Sequence, residues 1–263
     1  VDDPANTVGE HSSIAIGTDG FPVIAYRDQT LMDLKVAKCN DRACSGGDEN
    51  ISTVDSSVTN DLGRYASIEV GVDGFPVIAY QDTSAVSLKV AKCNDPACSG
   101  GNETISTVDD PANFVGAHIS MAIGVDGFPV ISYQDITAFT LKVAKCNDPA
   151  CTGGNETITT VDDPVTAVGW FTSITIGLDG FPVISYEDGN TGGTLKVAKC
   201  NDSACTGGNE TITTVDDPAN TVGYYVSMAI GSDGFPVISH QDHTAYALKV
   251  VTCNDPACTG GNE

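Results

Sequence analysis

Ile123-Gly124-Val125-Asp126-Gly127-Phe128-Pro129-Val130-Ile131-Ser132-Tyr133 decides the fold. Two short apolar runs flank Asp126-Gly127, and Asp-Gly is a strong hairpin signal because glycine accepts a positive φ. Pro129 opens the second run, where a strand tolerates proline. Leu141-Lys142-Val143-Ala144-Lys145-Cys146 follows as a third strand. The first copy of the block shows the whole pattern. Ser13-Ile14-Ala15-Ile16-Gly17 is strand A, Phe21-Pro22-Val23-Ile24-Ala25-Tyr26 strand B, Leu34 to Cys39 strand C, and Asn50-Ile51-Ser52-Thr53-Val54 strand D. Strand D alternates as a half-exposed edge should. No window carries a helical period.

The block belongs to a repeat. Val1-Asp2-Asp3-Pro4, Val54-Asp55-Ser56, Val108-Asp109-Asp110-Pro111, Val161-Asp162-Asp163-Pro164 and Val215-Asp216-Asp217-Pro218 open five repeats at 1, 54, 108, 161 and 215. The period is 53 or 54 residues, and the extra residues fall before Gly63 and within Gly189 to Thr194, where loops absorb them cheaply. Four antiparallel strands per repeat predict an all-β, five-bladed β-propeller, one domain over 1–263. A β-solenoid fits less well, because its rungs rarely hold two tight hairpins. The fifth repeat stops before its strand D. The sequence leaves three readings open: closure by the N-terminal stub, a strand supplied by a neighbouring molecule, or a chain cut from a longer array.

Lys and Arg number 12 against 35 Asp and Glu, a formal charge of −23. That balance argues against nucleic acid and against anionic lipid as partners. Apolar residues make up 41%, too many for a disordered acidic tail. No apolar run approaches the roughly 18 residues of a membrane span, so no membrane insertion is expected, and no signal peptide opens the chain.

Ten cysteines form five C-x4-C pairs between strands C and D. The pairs are Cys39 with Cys44, Cys93 with Cys98, Cys146 with Cys151, Cys200 with Cys205, and Cys253 with Cys258. One pair per repeat reads as local disulfides, hence an oxidising, secreted, extracellular or cell-surface setting. Zinc would need two pairs to converge, and they sit on different blades. The loops run into N-x-[ST] sites at Asn102, Asn155 and Asn209, with a shifted site at Asn50. Asn201-Asp202-Ser203 is a weaker candidate inside a disulfide loop.

The A–B and C–D loops vary little, whereas the B–C and D–A loops differ between repeats. Rings follow the D–A glycine at His11, Tyr65, His118, Phe171 and Tyr225, joined by Trp170 and Tyr224, and Phe139 and Tyr246 lie in B–C loops. This face reads as a contact surface for a glycan or a protein, or as a seal on the blade cores. Asp28, Asp82, Asp135, Asp188 and Asp242 end strand B. They suit loop hydrogen bonds, and calcium is the lesser reading, with no other metal or cofactor expected. No nucleophile elbow, H-E-x-x-H or P-loop is present.

The block Ile123 to Tyr133 with Leu141 to Cys146 resembles repeat arrays in uncharacterised secreted microbial proteins. The resemblance implies a propeller and no assigned activity. By blade count the chain is similar to five-bladed tachylectin-type lectins, though none of their sugar-binding motifs matches. The sequence thus leads to two expectations. The first is a non-enzymatic, glycosylated extracellular module assembling with copies of itself into a layer or fibril. The second is a multivalent lectin-like binder of glycans.

Overall fold

A computed structural model describes residues 1–2, 5–164, 167–189, 193–217 and 220–260. Strand B of each repeat is apolar on both faces and ends in aspartate, so it becomes a central strand with neighbours on each side. The chain divides into two compact units. The first comprises Val1–Gly116, Gly127–Pro129 and Cys146–Glu156; the second comprises Ala117–Asp126, Val130–Lys145 and Thr157–Glu263.

Unit one carries two four-stranded antiparallel sheets, each in chain order. Sheet one is β1 (Val8–Ile16), β2 (Pro22–Asp28), β3 (Asp33–Lys38) and β4 (Asn50–Asp55). Sheet two is β5 (Arg64–Val70), β6 (Pro76–Asp82), β7 (Ser87–Lys92) and β8 (Thr104–Asp109). Leu34 and Val36 of β3 are fully buried in a cluster with Ile68, Ile78 and Tyr80 of sheet two. At this junction the Ser13 hydroxyl accepts from the Ile68 amide at 3.1 Å.

Unit two carries three sheets. Sheet three is β9 (Ala117–Ile123), β10 (Pro129–Asp135), β11 (Thr140–Lys145) and β12 (Thr157–Asp162). Sheet four is β13 (Val168–Ile176), β14 (Pro182–Asp188), β15 (Thr194–Lys199) and β16 (Thr211–Asp216). Sheet five is β17 (Tyr224–Ile230), β18 (Pro236–Asp242) and β19 (Ala247–Thr252), three strands among the described residues. The serine contact recurs here, with Ser120 accepting from the Ile174 amide at 3.1 Å and Ser173 from the Met228 amide at 3.0 Å.

The aspartates that open the repeats have a job the sequence does not disclose. The Tyr26 hydroxyl donates to Asp2 at 2.5 Å and Tyr186 to Asp162 at 2.6 Å, while Lys35 and Lys89 reach Asp2 and Asp55 at 3.2 Å. These side chains hold a buried tyrosine and a lysine of the sheet that follows them.

All five C-x4-C pairs are disulfides: Cys39 to Cys44, Cys93 to Cys98, Cys146 to Cys151, Cys200 to Cys205, and Cys253 to Cys258. Their Cα atoms lie 4.9–5.0 Å apart. The second cysteine of each pair holds a conformation that the spacing alone does not reveal. Cys44, Cys98, Cys151, Cys205 and Cys258 all take φ of 49–54°, in the left-handed region. The turn is closed by the amide of that cysteine, which donates to the carbonyl of Asp41, Asp95, Asp148, Asp202 or Asp255.

Asn50, Asn102, Asn155 and Asn209 are exposed, whereas the Asn201 amide donates to the Asn209 carbonyl. Strand A starts earlier than its apolar core suggests. In β13 the register shifts between Trp170 and Ser173, a bulge centred on Phe171. His11, Tyr65, His118, Phe171 and Tyr225 all take φ of 50–52°, a left-handed conformation that is costly for a side chain with a ring.

Candidate functional site

Four strand-B aspartates, Asp28, Asp82, Asp135 and Asp242, accept hydrogen bonds from their own loops. Asp28 Oδ1 accepts from the amides of Thr30 and Leu31, both at 3.0 Å, and Asp82 and Asp135 do the same for Ser84, Ala85, Thr137 and Ala138. Among the described residues no group of three or more His, Cys, Asp or Glu side chains is placed to hold a metal.

One residue earlier in strand B the repeats diverge: Arg27, Gln81, Gln134, Glu187 and Gln241. Arg27 pairs with Glu10 and with Asp61. Gln81 donates through Nε2 to the Val115 carbonyl, and Gln134 to the Val168 carbonyl, each at 2.8 Å. Glu187 occupies this position in sheet four, where its residue is 4% exposed. A carboxylate has no proton to give the equivalent carbonyl, that of Val222. Burial, and then the Asp188 charge, push its carboxyl up to about 7.

The surroundings of Glu187 form a cavity of about 380 Å³ lined by Ala167, Trp170, Phe171, Glu187, Gly189, Gly193, Thr221 and Tyr224. Trp170 lies directly across the β13–β14 ladder from Glu187. Its indole N–H is buried and has no hydrogen-bond partner among the described residues. Such a group costs on the order of 1–3 kcal/mol unless a ligand or water accepts from it.

Two glycines open the cavity. Gly193, at φ +68°, stands where the other repeats carry Met32, Val86, Phe139 and Tyr246. A Cβ at Gly193 would lie 2.7 Å from Thr221 Cγ2 and 2.9 Å from Glu187 Oε1. A Cβ at Gly189 would lie 3.3 Å from the Trp170 Nε1. Among the described residues, only sheet four combines a buried strand-B carboxyl, a facing indole donor and an open wall.

The structure brings most of the expected rings together within each unit. In unit two, His118 lies 5.2 Å from Trp170 and 4.8 Å from Phe171, and Phe171 lies 5.2 Å from Tyr224 and 4.8 Å from Tyr225. In unit one, His11 and Tyr65 are 4.7 Å apart. Phe139 is exposed. Tyr246 contacts His243 at 5.8 Å, and His243 stacks on Tyr224 at 4.5 Å. Glu187 and His243 are not among the site residues that the sequence suggests. The signal for Glu187 is the aligned column Arg27, Gln81, Gln134, Glu187, Gln241.

No protein-family model matches the chain, and no curated protein sequence does. Solved structures do. A protein of unknown function from Dyadobacter fermentans matches with a TM-score of 0.68 at 11% identity, over 96% of this chain and 80% of its own. An α-L-arabinofuranosidase from Lactobacillus brevis matches with a TM-score of 0.58 at 11% identity, over 94% and 92%. A thermostable family-43 glycoside hydrolase gives 0.52 at 11% identity, over 97% and 92%. The likeness is one of fold: an all-β, propeller-type repeat. It gives no support to a tachylectin-type likeness.

These matches correct the expectation of a non-enzymatic structural or self-assembling module, and with it the expectation of no catalysis. The reason is identifiable. The absence of a nucleophile elbow, H-E-x-x-H or P-loop does not register a lone carboxyl such as Glu187, which does not recur at its position in the other repeats.

Proposed function

We propose that the chain is a carbohydrate-processing enzyme of the glycoside-hydrolase type, with its site in the sheet-four cavity. The observation that carries this reading is a buried carboxyl, pushed up to about 7 by burial and the Asp188 charge, set opposite a tryptophan whose N–H has no partner among the described residues. A carboxyl half-protonated near neutrality is suited to general acid work. In the proposed reaction Glu187 gives its proton to the glycosidic oxygen as the bond from the anomeric carbon breaks. Water adds to that carbon, and its released proton restores the carboxyl. Trp170 and Tyr224 supply ring faces for the sugar, and the indole N–H donates to a hydroxyl or ring oxygen.

Glu187 is the sole carboxylate among the described residues lining the cavity. The cavity thus contributes the acid half of the carboxyl pair that such hydrolases use. The fold shared with an arabinofuranosidase and a family-43 glycoside hydrolase supports a sugar as substrate. The formal charge of −23 favours neutral over anionic sugars.

We read the five sheets as blades of one propeller domain over 1–263, secreted into an oxidising setting that suits five disulfides and the exposed sites at Asn50, Asn102, Asn155 and Asn209. The test is hydrolysis of a panel of neutral nitrophenyl glycosides by the wild type and by Glu187→Gln. Release by the first and a loss of at least about 100-fold in the second is expected. Equal release by both, or none by the wild type, would overturn the assignment.

A further inference from the structure

The cavity at Glu187 opens beside a run of rings that its own lining does not use up. Tyr224 forms one wall of the cavity. Its outer neighbour is His243, stacked nearly parallel on it with an interplanar angle of 12° at 4.5 Å. Tyr246 continues the run at 5.8 Å from His243. Tyr225, on the same bulge as Tyr224, lies 6.2 Å from it. Exposure rises outward along this run: Tyr224 is half-buried, His243 exposed, and Tyr246 80% exposed.

Rings that seal a core are covered; His243 and Tyr246 are exposed, and Tyr224 beneath His243 is only half-buried. Tyr225 is 69% exposed as well. Both exposed tyrosines are held in the left-handed region, Tyr225 at φ +50° and Tyr246 at +53°. In sheet two the corresponding B–C position is Val86, which offers no ring, and in sheet four it is Gly193, which opens the cavity. Sheet five therefore supplies a ring surface next to the cavity of sheet four, within one compact unit.

We propose that Tyr224, His243 and Tyr246 form a track for the further residues of a neutral oligosaccharide whose terminal or cleaved unit sits at Glu187. The inference rests on the reading of that cavity as a sugar site and adds the substrate class: a chain of several units, not a lone monosaccharide. Tyr224 and His243 turn one face each to the other, so the apolar C–H faces of the sugar pack on the faces that this stack leaves open and on Tyr246, while the hydroxyls stay in water at an exposed track. No lysine or arginine contributes to the track, and the chain as a whole repels anions, so the occupant is uncharged. Each ring contact adds affinity only for a ligand long enough to reach it.

The experiment is calorimetric titration of the full chain with neutral arabinose, galactose and glucose oligosaccharides of one to six units. Wild type, Tyr246→Ala, His243→Ala and Gly193→Tyr are compared. For the sugar that binds, the account expects affinity to rise at least about tenfold from one unit to four. Tyr246→Ala should remove about three- to tenfold of that gain and leave the monosaccharide unchanged. Gly193→Tyr should abolish binding at every length, since it fills the cavity. Equal affinity for short and long chains in the wild type would overturn the track and leave the cavity reading intact. So would long-chain binding unaffected by both Tyr246→Ala and His243→Ala. No binding of any sugar by the wild type would overturn both.

Discussion

Gln81 in sheet two and Glu187 in sheet four occupy the same position of the repeat and differ by a single functional group. Gln81 is 1% exposed and donates to the Val115 carbonyl, so its burial is satisfied. Glu187 is 4% exposed, and its carboxyl is pushed up to about 7. Arg64 faces Gln81 across the ladder, while Trp170 faces Glu187. The B–C loop of sheet two bears Val86, and that of sheet four bears Gly193. Sheet two thus closes its end with matched donors and acceptors. Sheet four leaves an acid, an indole donor with no partner among the described residues, and a cavity. In a duplicated fold, function shows where one copy gives up the hydrogen bonds that the others keep.

The strongest way to break this comparison is to turn sheet four back into sheet two. Glu187→Gln should lower glycoside cleavage by at least about 100-fold. The same change should make the protein more stable at pH 8, by on the order of 2 kcal/mol. The sign follows from the raised pKa. Folded Glu187 holds its proton up to about 7, against an ordinary value of 4.5. The wild type therefore loses stability as pH rises from 4.5 to 7, and the glutamine variant does not. Denaturant unfolding at pH 5 and pH 8 measures it: the two proteins should differ more at pH 8.

Gly193→Tyr, which installs the residue of the fifth repeat, should also abolish cleavage. A Cβ there already meets Glu187 Oε1 at 2.9 Å, so the cost in stability should be about 1–3 kcal/mol. Thermal unfolding alongside activity separates blockage from misfolding. Replacing both Cys146 and Cys151 by serine should cost roughly 2 kcal/mol, the chain-entropy value for a ring this small. Because that loop lies outside unit two, the cleavage rate per folded molecule should not change. Trp170→Phe sharpens the picture most finely. It keeps a ring opposite Glu187 and removes an N–H that has no partner among the described residues, so sugar affinity should fall about three- to tenfold with stability unchanged or slightly raised.

Most of the fold was legible in the sequence because its signals are local. Asp126-Gly127 sets a turn, Pro129 starts a strand, and Cys146 and Cys151 lie close enough along the chain to pair. The five sheets and five disulfides follow from such features repeated. The bulge at Phe171 was not legible, because a left-handed ring residue leaves no mark in an apolar pattern. The left-handed turn at Cys44, Cys98, Cys205 and Cys258 was hidden for the same reason: spacing gives the pairing and not the backbone. Nor was the link from Asp2 to Tyr26 and Lys35 legible, since it joins residues far apart along the chain. The ring-bearing face does stand out as the place where repeats differ. The proposed acid does not, because it lies in the strand-B column and not among the rings. Glu187, in a column that otherwise holds three glutamines and Arg27, differs from the glutamines by one group, visible once the copies are aligned and meaningful once Trp170 is found across from it.

The pH–rate profile of glycoside cleavage tests the central claim most directly. For the wild type acting on the neutral nitrophenyl glycoside it cleaves best, kcat/KM should fall as pH rises through about 7, as the Glu187 proton is lost. Glu187→Gln should show at least about 100-fold less activity with no break at that pH. A wild-type profile flat between about pH 6 and 8, or a glutamine variant that retains the wild-type rate and the same break, would contradict it.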